Sequence, residues 1–78
     1  MNDRLGRVAP GRTVEFAGFD VALDRGFREQ LLAYGLAPGR PLTVLQQSPL
    51  TLVLCEHVEL ALETVVAELL WVRAPAAV

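Results

Sequence analysis

The stretch Phe27–Gly39 constrains this chain more than any other. Phe27, Leu31 and Tyr34 fall at i, i+4 and i+7, one stripe of a helix, while Arg25, Glu29 and Gln30 occupy the wetter side. Asp24 stands where an N-cap belongs. A helix stop needs a residue that accepts positive φ, and Gly35 supplies it without a Cβ penalty. Pro38-Gly39 then suits a tight turn, and strand-like Pro41-Leu42-Thr43-Val44-Leu45 follows at once. A short helix that stops, turns and runs into a strand narrows the fold to a strand-rich miniature domain.

At 78 residues the chain has room for one core, and a single domain 1–78 is expected, with its core at 5–73 and tails at 1–4 and 74–78. Strand signals dominate outside the helix. Thr13–Ala17, Leu42–Gln47, Leu50–Cys55, Val58–Leu62 and Leu70–Val72 alternate or carry β-branched and aromatic residues. Gly18–Leu23 reads as a connector, Ser48-Pro49 as a turn or bulge, Glu56-His57 as a hairpin tip, and Glu63–Leu69 as one or two helical turns. About five short strands with one helix between the first and second point to an all-β, strongly bent small barrel, since closure removes sheet edges.

Hydrophobic residues make up 53% of the chain. So small a core cannot hide that much apolar surface, so part of it should face a partner. The expected register turns Leu50, Leu52 and Leu54 inward and leaves Thr51, Val53 and Cys55 as an uncharged outward contact face. The corner Leu36-Ala37-Pro38-Gly39 is a second contact surface, because loops on a rigid scaffold commonly carry recognition. Gly35 and Gly39 are read as turn residues.

Chemistry is sparse. One histidine (His57), one cysteine (Cys55) and one serine (Ser48) leave no catalytic constellation, and neither an enzyme nor a cofactor is expected. A closed metal site takes about four ligands. Cys55 and His57, with Glu56 and Glu59 beside them, are the nearest approach to one, and no metal site is expected. A single cysteine excludes an internal disulfide and fits a reducing compartment. Net charge is −2, and the basic residues are seven dispersed arginines with no lysine, so nucleic acid is not an expected partner. No signal peptide and no apolar run near the roughly 20 residues of a membrane span are visible. A cytoplasmic location follows, with any membrane role exerted through a partner.

The order of these features resembles the ferrous iron transport protein A (FeoA) family and its SH3-like domain, over roughly Leu5–Val72. The phrase Leu5-Gly6-Arg7-Val8-Ala9-Pro10-Gly11 matches the family's opening. Arg28 followed by Leu32-Ala33-Tyr34-Gly35-Leu36-Ala37-Pro38-Gly39 matches its helix and corner. Ser48-Pro49, Leu60-Ala61-Leu62, Ala67 and Leu70-Trp71-Val72 match what comes after. The chain departs from the family at the hairpin tip, where His57 replaces a usual glycine, and at Thr51, Val53 and Glu63, where arginines are common. The resemblance implies an SH3-like barrel working as a cytosolic, non-enzymatic accessory of bacterial ferrous iron uptake. Its expected partner is the iron permease with its cytosolic GTP-binding domain, and weak self-association is expected besides. The same domain resembles the C-terminal module of metal-dependent repressors, so a detached module of that type is one alternative. A small metal-binding protein using Cys55 and His57 is another.

Overall fold

The computed structural model describes residues 2–75, so the expected tail 74–78 lies largely outside the described residues. Six strands form one antiparallel sheet: β1 (Asn2–Arg4), β2 (Thr13–Phe19), β3 (Pro41–Gln46), β4 (Thr51–Cys55), β5 (Val58–Leu62) and β6 (Leu70–Arg73). Helix α1 (Arg25–Ala33) joins β2 to β3, and the single turn α2 (Thr64–Ala67) joins β5 to β6. The strand order is β1-β6-β2-β3-β4-β5. The sheet is therefore open, with β1 and β5 as its edges, where the sequence suggested a closed barrel. The extra strand is Asn2–Arg4, expected as a loose tail. It is held because Asn2 and Arg4 pair with Arg73 and Trp71. The Arg4 guanidinium also lies 4.5 Å from the Trp71 ring centroid and donates from Nη1 to the Glu68 carbonyl at 2.6 Å.

The α1 boundaries follow from local chemistry. The Asp24 carboxylate accepts from the Phe27 N–H at 3.1 Å, capping the first turn. At the other end Gly35 has φ +100°, and the Leu36 N–H reaches back to the Leu31 carbonyl at 3.0 Å. The helix is rotated from its expected setting. Only Leu31 is buried, while Phe27 is 36% and Tyr34 55% exposed. The cause is Arg28, about 60° around the axis from Leu31 at 100° per residue. Its guanidinium lies over the Phe19 ring and donates to the Leu23 carbonyl, turning that flank toward the sheet and swinging Phe27 and Tyr34 outward.

The β4 register is the reverse of the expected one. Thr51, Val53 and Cys55 are buried, at 0%, 0% and 2% exposure, whereas Leu50 is 39% and Leu54 37% exposed. The hairpin explains it. Glu56-His57 is a two-residue turn between paired Cys55 and Val58, so Val53 faces Leu60 and Thr51 faces Leu62 on the same side of the sheet. Glu59 must stay in water, which sends Leu60 and Leu62 inward and takes Val53 and Thr51 with them. The buried Thr51 hydroxyl is satisfied: it donates to Gln47 Oε1 at 2.7 Å. Gln47 Nε2 in turn donates to the Leu5 and Val8 carbonyls at 2.9 and 2.7 Å, tying the Leu5–Arg7 3-10 turn to the start of β4. Around this seam the core gathers Leu5, Phe16, Leu36, Leu42, Val44, Leu70 and Val72, with Phe16 and Phe19 meeting edge to face at 4.9 Å.

Two expectations follow. Gly35→Val should destabilise by more than about 1 kcal/mol in thermal melting, since a β-branched residue fits positive φ poorly, and Gly35→Asn should cost less. A Cβ there would only touch the Cys55 sulfur at 4.0 Å, so backbone conformation rather than space sets the cost. Val53→Glu should prevent folding by burying a charge, whereas Leu54→Glu should stay within about 0.5 kcal/mol of the parent. Circular dichroism melts that ranked these two variants the other way would reverse the inward and outward faces of β4.

Candidate functional site

The inward turn of β4 relocates the outward apolar surface. Thr51, Val53 and Cys55 belong to the core, so they cannot form the contact face expected of them. Their place is taken by Leu54 and half-buried Leu52 on β4, Leu45 on β3, and Leu50 just before β4. Leu45 sits in the bulge where the β3 register shifts between Val44 and Gln46, opposite the Val53–Leu52 step. Thr43 and Glu59 flank Leu54, and Ala61 flanks Leu52. The result is an uncharged strip across the middle of the outer face, bordered by Glu59 on β5. The signal for it lay in the sequence. Two-residue spacing between Cys55 and Val58, combined with the fixed outward position of Glu59, dictates the parity of β4.

The corner expected as a second contact surface is exposed only in part. Leu36 is fully buried and serves as an anchor, Ala37 is half-buried, and only Pro38 and Gly39 are exposed. The corner is held to β2: the Gly39 N–H donates to the Phe16 carbonyl at 2.8 Å, and the Phe16 N–H donates to the Arg40 carbonyl at 2.8 Å. Gly39 has φ +91°, as a turn residue at this place requires. Arg40 pairs with Glu56, so the corner and the β4–β5 hairpin tip are joined by charge as well as by packing. At that tip Glu56, rather than His57, takes positive φ (57°), the first central position that a II′ turn normally gives to glycine.

Cys55 and His57 do not come together as a ligand pair. The Cys55 thiol points into the core and donates to the Gly35 carbonyl at 3.3 Å, while His57 is exposed at the tip. Among the described residues no three of His, Cys, Asp and Glu gather as a possible metal cluster. Arginine chemistry is mostly committed within the fold. Arg7, Arg25, Arg40 and Arg73 form ion pairs with Glu68, Glu29, Glu56 and Glu15. No helix among the described residues is long and apolar enough to cross a membrane.

Burial, reinforced by the Glu56 carboxylate and opposed by Arg40, pushes the Cys55 thiol above its ordinary value of 9.0. The unfolded chain therefore loses this proton first as pH rises, so the contribution of Cys55 is intact below that ordinary value and shrinks above it. The stability difference between the parent and Cys55→Ala should shrink on titration into this alkaline range. Thiol reagents should label the native protein far more slowly than the urea-unfolded chain. Rapid labelling of the native state would place Cys55 at the surface.

Residues 4–74 match the FeoA domain family. Among solved structures, a FeoA protein from Chlorobium tepidum superposes with a TM-score of 0.85 at 26% identity, over 95% of this chain and 71% of that one. A protein described as an iron uptake regulatory protein (FeoA) gives 0.77 at 24% identity, over 94% and 96%. IdeR of T. acidophilum gives 0.83 at 19% identity over 94% of this chain, which spans about a third (34%) of that protein. No curated protein matches it in sequence. The opening phrase Leu5–Val8, the Gly35 helix stop and the Pro38-Gly39 corner occupy load-carrying places in an SH3-like sheet, as the resemblance implied, and the match runs through all of them: the chain belongs to the FeoA family.

Proposed function

We propose that this protein acts without catalysis, on the cytosolic side, as an accessory of bacterial ferrous iron uptake through contact with the iron permease and its GTP-binding domain. The observation that carries the reading is family membership over residues 4–74, nearly the whole described chain. The outer strip of Leu45, Leu52 and Leu54 supports it, being uncharged and on rigid strands rather than on a loop. A pre-ordered strip of this kind binds with little loss of conformational freedom. Pro38 and Gly39 lie beyond the Arg40–Glu56 pair and form a second exposed element.

The likeness to IdeR, at 19% identity, speaks to the fold and supplies the second reading, a detached repressor-type module that binds another protein. One experiment separates the two. The purified protein, immobilised, is offered the permease's cytosolic GTP-binding domain and, separately, a metal-dependent DNA-binding repressor. Capture of the permease domain is expected, weakened about 30-fold or more by Leu54→Glu if this residue lies in a desolvated hot spot. Capture unchanged by Leu54→Glu would move the contact off this face. Binding to the repressor alone would replace the transport reading with the second one.

A further inference from the structure

The two edges of the sheet are protected unequally. β1 is three residues long, and two of them, Asp3 and Arg4, are charged. Short, charged edges resist pairing with other strands. β5 is less well defended. It runs five residues with an unbroken register against β4, carries neither proline nor lysine, and has one charge, Glu59.

The hairpin fixes which backbone groups face outward. Cys55 and Val58 flank the two-residue turn and exchange hydrogen bonds, as do Val53 with Leu60 and Thr51 with Leu62 at every second pair. Glu59 and Ala61 consequently aim their N–H and C=O groups away from β4. Among the described residues no hydrogen bond from a loop or side chain reaches either of them.

We propose that this edge pairs with β5 of a second copy, antiparallel and centred on Leu60, to form a two-fold dimer. The choice of occupant rests on self-complementarity. With Leu60 on the axis, Glu59 faces the second copy's Ala61, each residue exchanging both outward hydrogen bonds with the other. His57 faces the second copy's Glu63. A register centred on Glu59 would set Glu59 against Glu59, and one centred on Ala61 would set Glu59 against Glu63; both place like charges in direct opposition. The register on Leu60 alone joins the strands over their length without a carboxylate meeting a carboxylate. It leaves the outer strip of Leu52 and Leu54 uncovered, so the dimer is independent of the partner contact proposed above. An edge pair buries less than a standard interface, which makes the dimer a weak one.

The test is sedimentation equilibrium of the whole protein up to about 1 mM, with amide hydrogen exchange followed residue by residue. Dimer formation at the upper end is expected, with the Glu59 and Ala61 amides gaining protection as concentration rises. Ala61→Pro removes an outward N–H and leaves the β4 ladder intact, so it should weaken the dimer by about tenfold or more while circular dichroism stays native. Ala61→Lys, facing Glu59 of the second copy, should tighten it, and Ala61→Glu should weaken it, each by roughly 2- to 30-fold. These exposed charge variants keep the test sharp even if Ala61→Pro perturbs the strand. A monomer throughout the concentration range would overturn the proposal. So would a dimer insensitive to Ala61→Pro, or one that responds alike to Ala61→Lys and Ala61→Glu.

Discussion

The Gln47 side chain is the fastening on which the rest of the structure depends. Its amide nitrogen holds the carbonyls of Leu5 and Val8, and its amide oxygen holds the hydroxyl of Thr51. One half-buried amide joins the opening 3-10 turn, about forty residues away in sequence, to the short link between β3 and the start of β4. Each such bond contributes only about 1 kcal/mol net, but leaving a buried donor or acceptor unmade costs about 1–3 kcal/mol. The asymmetry makes the network a selector. With Gln47 in place Thr51 can point inward at no penalty, and Val53 and Cys55 follow it into the core. Shifting β4 by one residue would strand these groups and drive Glu59 toward the interior through the hairpin.

That seam also explains which parts of the fold were legible in the sequence. The helix stop, the Asp24 cap, the Pro38-Gly39 corner and the Cys55–Val58 hairpin each rest on one or two residues with a single conformational preference, and each stands where it was expected. The parity of β4 was not legible from β4 alone, because both of its faces are uncharged and largely apolar. Hydrophobicity favoured the leucines. The smaller, β-branched Val53 and Thr51 are nevertheless the ones that face Leu60 and Leu62 on the inner side. The true discriminator, Glu59, lies on the next strand and acts across the turn. The β1 pairing was hidden for a related reason: Asn2-Asp3-Arg4 has no strand signal of its own and is held by Trp71 and the Glu68 carbonyl, both more than sixty residues away in sequence. The helix face was misread because Arg28, nominally polar, lays its stem and guanidinium against Phe19, and amphipathic arcs drawn from apolar residues omit such contacts.

Arginine recurs wherever the fold needs a join that apolar packing cannot supply. Arg4 secures the first strand to the last, Arg28 seats the helix, Arg40 ties the corner to the hairpin tip, and Arg73 reaches across to Glu15. A planar guanidinium can stack on a ring and donate in the same pose, as Arg4 does between Trp71 and Glu68. The candidate contact strip owes its uncharged character partly to this arrangement, since these arginines are engaged at the margins of the sheet.

The position of β6 between β1 and β2 has a consequence for how the protein comes into being. The earliest of these six strands in chain order has no neighbour in the sheet except the latest, so Asn2–Arg4 must wait for Leu70–Arg73. Vectorial synthesis can assemble β2 to β5 by successive antiparallel additions, each between near neighbours in the chain. It cannot complete the sheet until residue 73 has emerged. A nascent chain halted before that point carries two unsatisfied strand margins, one on β2 and one along β1. Quality control would meet an incomplete sheet rather than a shortened but finished domain.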